Sequence, residues 1–404
     1  MRWLKRAFSE DGPIERMSKS RKRIRAVVIG GSNTVMGLNP EKHLGYLWET
    51  VKACRKRGWK LLVTEDMSVG GTTIFNGLFQ LKNSRELSKA DVLIIEYALN
   101  DSSTYEKDRK LFQHWSRAYE GVIRYAREQN PKLQIISVIF ESRTARADRR
   151  LNLIHAAIHR ISEVYATRVA DIARKHLETV GADQADNDLY YFDNHHVSNV
   201  VIAVAARDLC RELIKVKAKR RKKHKLPEPI DPHHFAHATA AGIDVITDAP
   251  RIDRRNSRFD VQAVELANKR MHFTLVDGKL LGLFYVCEAS TGPAFLRCND
   301  ALYQVNLMKP GVSSGKFEFL VSSSGCEFLY APDVNRPDDT GAYALSPIAD
   351  GEVTKAVTPR SMMPHLVNPA PTLALYGLLY TGQLMEVRVE DANPQAAGLA
   401  ATVA

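Results

Sequence analysis

Ser32 stands at the end of a short apolar run and a pair of glycines, in the stretch IRAVVIGGSNTVMG (24–37). A serine hydroxyl becomes a useful nucleophile only with a base to take its proton, a group to orient that base, and donors to meet the developing oxyanion. Three later segments carry those residue types. Gly70 and Gly71, in TEDMSVGGTT, offer backbone N–H groups with no side chain in the way. Asn100, just after the run Asp91–Tyr97, offers an amide that can donate to an oxyanion. Asp193 and His196, three apart in Asp193-Asn194-His195-His196, can form the carboxylate–imidazole pair that activates Ser32. The adjacent His195 is the rival base. The plainer reading of the first stretch is a tight βα turn whose serine caps the next helix.

Other chemistries fit less well. GGSNTVMG lacks the Gly-Lys-Ser/Thr of a phosphate-binding loop. It also places Ser32 where a dinucleotide fingerprint needs its second glycine. No GxSxG elbow occurs. Asp231-Pro232-His233-His234-Phe235-Ala236-His237 groups three histidines with an aspartate, but His233 and His237 share a face only on a helix and no second cluster completes a metal site. No metal and no cofactor is expected. Arg143 and Arg146, after the run Leu133–Phe140, can line a site and attract an anion, or serve as surface charges.

The elements around these residues alternate. Ile24–Ile29 reads as a buried parallel strand. His43–Lys56 has helical spacing, Trp59–Val63 is a strand, Ile74–Leu87 is helical, and Asp91–Tyr97 is the clearest buried strand. A long helix from Tyr105 to Gln129 is stopped by Asn130-Pro131. Leu133–Phe140 is a further strand, Leu151–His176 a long helical region, and Ser198–Lys217 a helix. Strands alternating with helices over this length call for a parallel sheet covered on both faces, with Ser32 at a strand's carboxyl end, where open α/β sheets bind ligands.

The pattern changes after the basic run KVKAKRRKKHK (215–225) and Leu226-Pro227-Glu228-Pro229. Met271–Val276 and Leu280–Cys287 flank Asp277-Gly278, a hairpin signal. Short runs at Ala301–Leu307, Lys316–Val321, Glu327–Tyr330, Thr372–Leu379 and Gln383–Val389 suggest an antiparallel sandwich of about 120–150 residues. The expected organisation is a basic arm (1–22), an α/β domain (23–217), a basic and Pro-bearing linker (218–232), a β-rich domain (233–392) and a frayed tail (393–404).

The 404 residues are 45% hydrophobic and 25% charged, ordinary for a globular protein, with a net charge of +11. Much of the charge lies in the basic N-terminal arm and in the run 215–225, the second of which lacks the interleaved aromatic residues of a base-stacking surface; a nucleic-acid partner is disfavoured. Five cysteines without a CxxC pattern read as reduced thiols, Cys287, Cys298 and Cys326 as core or edge positions of the β-rich part. The basic N-terminus has no apolar segment typical of a secretory signal, and no stretch approaches about 18 apolar residues, so no membrane span is expected and the location expected is cytoplasmic.

The ordered set resembles the SGNH (GDSL-type) hydrolases. Gly30-Gly31-Ser32 resembles the family's GDS block with glycine for aspartate, Gly70 its second-block glycine, Ala98-Leu99-Asn100-Asp101 its GxND block with alanine for the leading glycine, and Asp193–His196 its DxxH block. The likeness covers about residues 24–215. It implies a flavodoxin-like three-layer sandwich, with Ser32 as nucleophile, His196 as general base and then acid, and Asp193 orienting it. The N–H groups of Ser32 and Gly70 and the Asn100 amide would hold the oxyanion, and Gly31, Asn33, Gly71, Asp101, His195 and Arg143 would line the site. The implied function is serine-dependent hydrolysis of O-acyl esters, acetyl foremost, on a saccharide or other small molecule. An O-acyltransferase of surface-polysaccharide biosynthesis using the same triad is one alternative. A non-catalytic glycan-binding or assembly protein on this scaffold is another.

Overall fold

Lys22–Gly30 (β1) is buried on both faces from Ala26 onward, as a central parallel strand must be. The computed structural model describes residues 22–35, 45–147, 152–218, 223–245, 250–256, 258–330, 339–359, 362–364 and 370–392. Residues 1–21 of the basic arm, 219–222 of the basic run and the tail 393–404 lie outside the described residues. The chain divides into two compact units, the division falling after His237.

In the first unit β1 is followed by Ser32–Val35 (α1), Tyr46–Lys56 (α2), Trp59–Asp66 (β2), Ile74–Lys82 (α3), Val92–Glu96 (β3), Ala98–Tyr105 (α4) and Arg109–Gln129 (α5). Then come Gln134–Ile139 (β4), Arg143–Ala147 (α6), Leu153–Val164 (α7), Arg168–Asp171 (β5), Ile172–Val180 (α8) and Asn199–Ala218 (α9). The five strands pair in parallel in the order β2-β1-β3-β4-β5. Ile24, Ala26 and Val28 point to one face and pack with Tyr46, Leu47 and Cys54 of α2 and Ile202, Ala205 and Leu209 of α9. On the other face Gly77 of α3 lets Tyr97 and Ile29 approach, since an added Cβ would lie 2.7 Å from the Tyr97 ring. The helices thus cover both faces of the sheet, as expected.

Two expected helices are divided. Tyr105–Gln129 is broken at Asp108, whose carboxylate caps α5 by accepting the N–H groups of Lys110 and Leu111 at 2.7 and 3.2 Å. Leu151–His176 contains the edge strand β5. Ala166, at φ 46°, ends the preceding helical turn, and four residues between two amphipathic helices are too few to break a helical period.

The expected linker 218–232 runs along the first unit over its described part. The His224 N–H donates to Pro131 O at 2.8 Å, and Arg124 donates to Pro227 O at 2.9 Å. The buried Glu120 carboxylate of α5 accepts the N–H groups of Ile230 and Asp231, and Arg117 pairs with Asp231 at 2.8 Å. Two buried charges on α5 take their partners from this segment, which is why it is held rather than free. Asp231 is thereby committed, away from any metal reading of the neighbouring histidines.

The second unit holds Thr239–Gly242 (β6), Arg251–Arg255 (β7), Asp260–Glu265 (β8), Lys269–Gly278 (β9), Leu280–Glu288 (β10), Ala294–Cys298 (β11) and Ala301–Val305 (β12). It continues with Pro310–Ser313 (α10), Phe319–Gly325 (β13), Asp339–Ser346 (β14), Lys355–Val357 (β15), Ala374–Tyr380 (β16) and Gln383–Asp391 (β17). Among the described residues these form one sheet ordered β13-β10-β16-β8-β7, with β6 also on β16, and another ordered β15-β12-β11-β14-β9-β17. Glu327–Tyr330, expected as a strand, is a 3-10 turn over Glu327–Leu329.

The expected hairpin around Asp277-Gly278 does not form: β9 and β10 belong to different sheets. β9 alternates between buried and part-exposed residues, whereas β10 is buried along nearly its whole length, so the two do not share one half-solvated ribbon. The chain changes sheet at Gly278, and again at Gly382 between β16 and β17. The two corners pack backbone to backbone: a Cβ on Gly278 would meet the Thr381 carbonyl, and one on Gly382 the carbonyls of Val276 and Asp277. Lys279 and Thr381 exchange main-chain contact there, the Thr381 N–H donating to Lys279 O at 2.9 Å.

Candidate active site

The order β2-β1-β3 fixes where a ligand crevice opens. The chain leaves β1 toward β2 on one side and returns to β3 on the other, so connections diverge at the carboxyl ends of β1 and β3. Gly30 and Glu96 pair in register at that edge. Ser32 and Asn100 leave the sheet from these two strands.

Ser32 opens α1 and is part-exposed, while Asn33 and Thr34 behind it are buried. The turn is closed by main-chain bonds from Gly31 N–H to Glu96 O (2.8 Å) and from Val35 N–H to Gly31 O (3.2 Å). After β2 the chain stays beside β1, Met67 N–H donating to Val28 O and Val69 N–H to Gly30 O. That path brings Gly70 against the serine: a Cβ on Gly70 would lie 3.8 Å from Ser32 Cβ. Gly71 then turns at φ 67°.

The Asn100 amide donates to Thr72 O at 2.8 Å, which fixes its plane. A Cβ on Gly31 would fall 2.6 Å from Asn100 Nδ2. A side chain at 31 would therefore crowd the amide in this chain.

The histidine loop is a tight structure. A Tyr191–Val197 bridge and the bond from Phe192 N–H to His196 O (2.8 Å) close it. Asp193 Oδ1 accepts the N–H groups of His195 and His196 at 2.7 and 2.9 Å, and its Oδ2 lies 2.7 Å from His196 Nδ1. With the Nδ1 proton directed at Asp193, Nε2 is the ring nitrogen left to act as base. Partial burial of Asp193 opposes ionisation, but the His196 ring and the two N–H groups outweigh it and hold its carboxyl below the usual range. Asn33 Oδ1 accepts the Val197 N–H at 3.3 Å and joins this loop to the serine turn.

The structure therefore brings Ser32, Gly70, Asn100 and, through Asn33, the Asp193–His196 loop to one edge. Among the described residues Ser32 Oγ makes no hydrogen bond to the His196 ring, a contact that in unliganded sites often closes only with substrate. His195 is exposed, and it is His196 that pairs with the carboxylate. Arg143 braces the loop, its N–H donating to Asn194 O (3.1 Å) and its guanidinium engaging Asp188 and Asp186 O. Asp101 does not line the crevice. It is fully buried and accepts the N–H of Ile74 and the indole N–H of Trp115 at 3.1 and 2.7 Å, tying α4 to α3 and α5.

Reading by motif passed over Glu96, Thr34 and Tyr46. Glu96 is 2% exposed and its carboxylate accepts the Thr34 hydroxyl at 2.8 Å; Thr34 Oγ1 is 3.0 Å from Tyr46 Oη. A carboxylate inside the apolar run DVLIIEY was the available signal.

No protein-family model matches the sequence, and no curated protein matches it. Among solved structures the chain is similar to a two-domain esterase (CEX) active on acetylated mannans, co-crystallised with mannopentaose. The identity is 14%, the TM-score 0.62, and the match covers 90% of this chain and 93% of that one. Another crystal structure of a two-domain esterase (CEX) active on acetylated mannans matches over the same shares at 14% identity, with a TM-score of 0.57. The likeness is one of fold and takes in the β-rich unit as well as the α/β unit. Among the described residues no helix is long and apolar enough to cross a membrane.

Proposed function

We propose that this chain is a serine-dependent esterase that removes acetyl groups from a carbohydrate. The observation that supports the reading is the Asn33–Val197 bond, which links the loop bearing Asp193 and His196 to the turn bearing Ser32. The fold shared with an esterase active on acetylated mannans supports the choice of substrate class.

In this mechanism Ser32 Oγ attacks the acetyl carbonyl carbon while His196 Nε2 takes the hydroxyl proton. Asp193 stabilises the imidazolium through Nδ1. The carbonyl oxygen, now an anion, is held by the N–H groups of Ser32 and Gly70 and by the Asn100 amide. Collapse of the tetrahedral adduct expels the sugar oxygen, which takes the proton from His196. Water, deprotonated by the same histidine, then releases acetate and restores Ser32.

The test is acetate release from an acetylated manno-oligosaccharide and from 4-nitrophenyl acetate by the purified protein and its Ser32→Ala variant. Wild type releases acetate into water, and Ser32→Ala lowers kcat by at least about 10³-fold. Undiminished release by Ser32→Ala would remove the serine from the mechanism.

A further inference from the structure

Glu96 touches the serine turn twice. Its carbonyl oxygen accepts the N–H of Gly31, and its carboxylate accepts the hydroxyl of Thr34, both at 2.8 Å. Gly31 precedes Ser32 and Thr34 closes the same short turn, so one residue holds both ends of the segment that aims the hydroxyl. Thr34 Oγ1 also reaches Tyr46 Oη at 3.0 Å, and Tyr46 begins α2. All three side chains are buried.

We propose that Glu96 is a positioning residue for Ser32, whose carboxylate holds the Gly31–Thr34 turn and whose protonation loosens it. As a carboxylate it accepts the Thr34 O–H. Once protonated it keeps an oxygen that can accept, but the bond from Thr34 is no longer charge-assisted and holds the turn less firmly. Burial pushes the Glu96 carboxyl up to about 7, against the downward pull of the Thr34 hydroxyl and the N–H groups of Gly31 and Thr34. The other titratable groups around it are the phenols of Tyr46 and Tyr97, both kept protonated chiefly by burial, with Asp66 on β2 and Asp101 on α4 beyond them. The exchange of a proton at Glu96 therefore falls near neutrality.

The inference rests on Ser32 being the nucleophile, and the experiment separates the two. Phosphonylation of Ser32 by an alkyl fluorophosphonate is followed by mass spectrometry, and 4-nitrophenyl acetate turnover is measured alongside, both from mildly acid to mildly alkaline pH. The proteins are wild type, Ser32→Ala, Glu96→Gln, Thr34→Val and Thr34→Ser. In wild type the labelling rate includes a rise with the ionisation of Glu96, near neutral pH. In Glu96→Gln that rise is absent, and at alkaline pH both labelling and kcat fall on the order of ten- to a hundredfold with KM unchanged. Thr34→Val shows the same loss, and Thr34→Ser, which keeps the hydroxyl, restores wild-type rates. Wild-type rates and pH profiles in both Glu96→Gln and Thr34→Val overturn the positioning role while leaving Ser32 as nucleophile. Equal loss in Thr34→Ser and Thr34→Val overturns it too, because the hydroxyl then carries nothing. Absence of labelling at Ser32 in wild type, with unimpaired turnover by Ser32→Ala, overturns both readings.

Discussion

Asn33 and Val197, far apart in the chain, are joined by a single bond from the Val197 N–H to Asn33 Oδ1. Each is the immediate neighbour of a residue in the proposed triad, so the bond sets the spacing between the serine turn and the histidine loop. Replacing Asn33 by Ala removes the acceptor of this bond, a loss of about 1–3 kcal/mol. The expected outcome is a kcat lower by roughly ten- to a hundredfold with little change in KM. Steady-state kinetics on an acetyl ester checks it.

Gly31 and Asn100 are coupled by contact, not by chemistry. Asn100→Ala removes a proposed oxyanion donor and is expected to cost on the order of 10²–10³ in kcat. Gly31→Ala places a methyl 2.6 Å from the position of Asn100 Nδ2 and is expected to impair turnover by moving the amide. In the Asn100→Ala background the same Gly31→Ala change meets a shorter side chain and is expected to cost far less. A double-mutant cycle in kcat reads the coupling directly; additive losses would dismiss it.

Glu96 gives the folded protein a specific pH dependence. Its carboxyl is raised from an ordinary value near 4.5 to about 7 in the fold. Between those values the unfolded chain has released the proton while the folded chain still holds it, so rising pH favours unfolding. This contribution to stability is fully present below the lower value, declines by about 3 kcal/mol in all as pH passes to the upper one, and is level above it. Urea unfolding at a series of pH values should show the decline in wild type and its absence in Glu96→Gln.

The β-rich unit should be sensitive at its corners. Gly382 sits at φ 74° with the carbonyls of Val276 and Asp277 where a Cβ would be. Gly382→Ala is expected to destabilise that unit by about 3 kcal/mol, combining backbone strain with crowding. Calorimetry should then show an earlier transition for the β-rich unit alone.

Much of the α/β unit was legible because its strands are continuous apolar runs ending in glycine or polar turns, and its helices carry a clear period. β5 was not, since four residues between amphipathic helices leave no period of their own. In the β-rich unit Asp277-Gly278 marked a turn correctly but not its partner, because a local turn signal says nothing about which sheet receives the next strand. At the proposed site, Asp193, His196, Asn100 and Gly70 are named from residue type and order, and their segments contact the Ser32 turn through Asn33, Gly31 and Gly70. Asp101 did not: its place beside Asn100 in the chain concealed that its carboxylate turns inward to Trp115 and Ile74. Glu96 escaped because a buried carboxylate acts through the residues it holds and belongs to no motif.

The two-sheet crossing has a consequence for biosynthesis. β10, buried on nearly every residue, finds its neighbours in β13 and β16, and β16 follows it only after β11 to β15. A nascent chain therefore carries this buried strand with an open edge until β16 has been made. The α/β unit, whose strands are all delivered earlier, can close before that edge is paired. The β-rich unit is thus the slower and more aggregation-exposed part of the molecule as it leaves the ribosome.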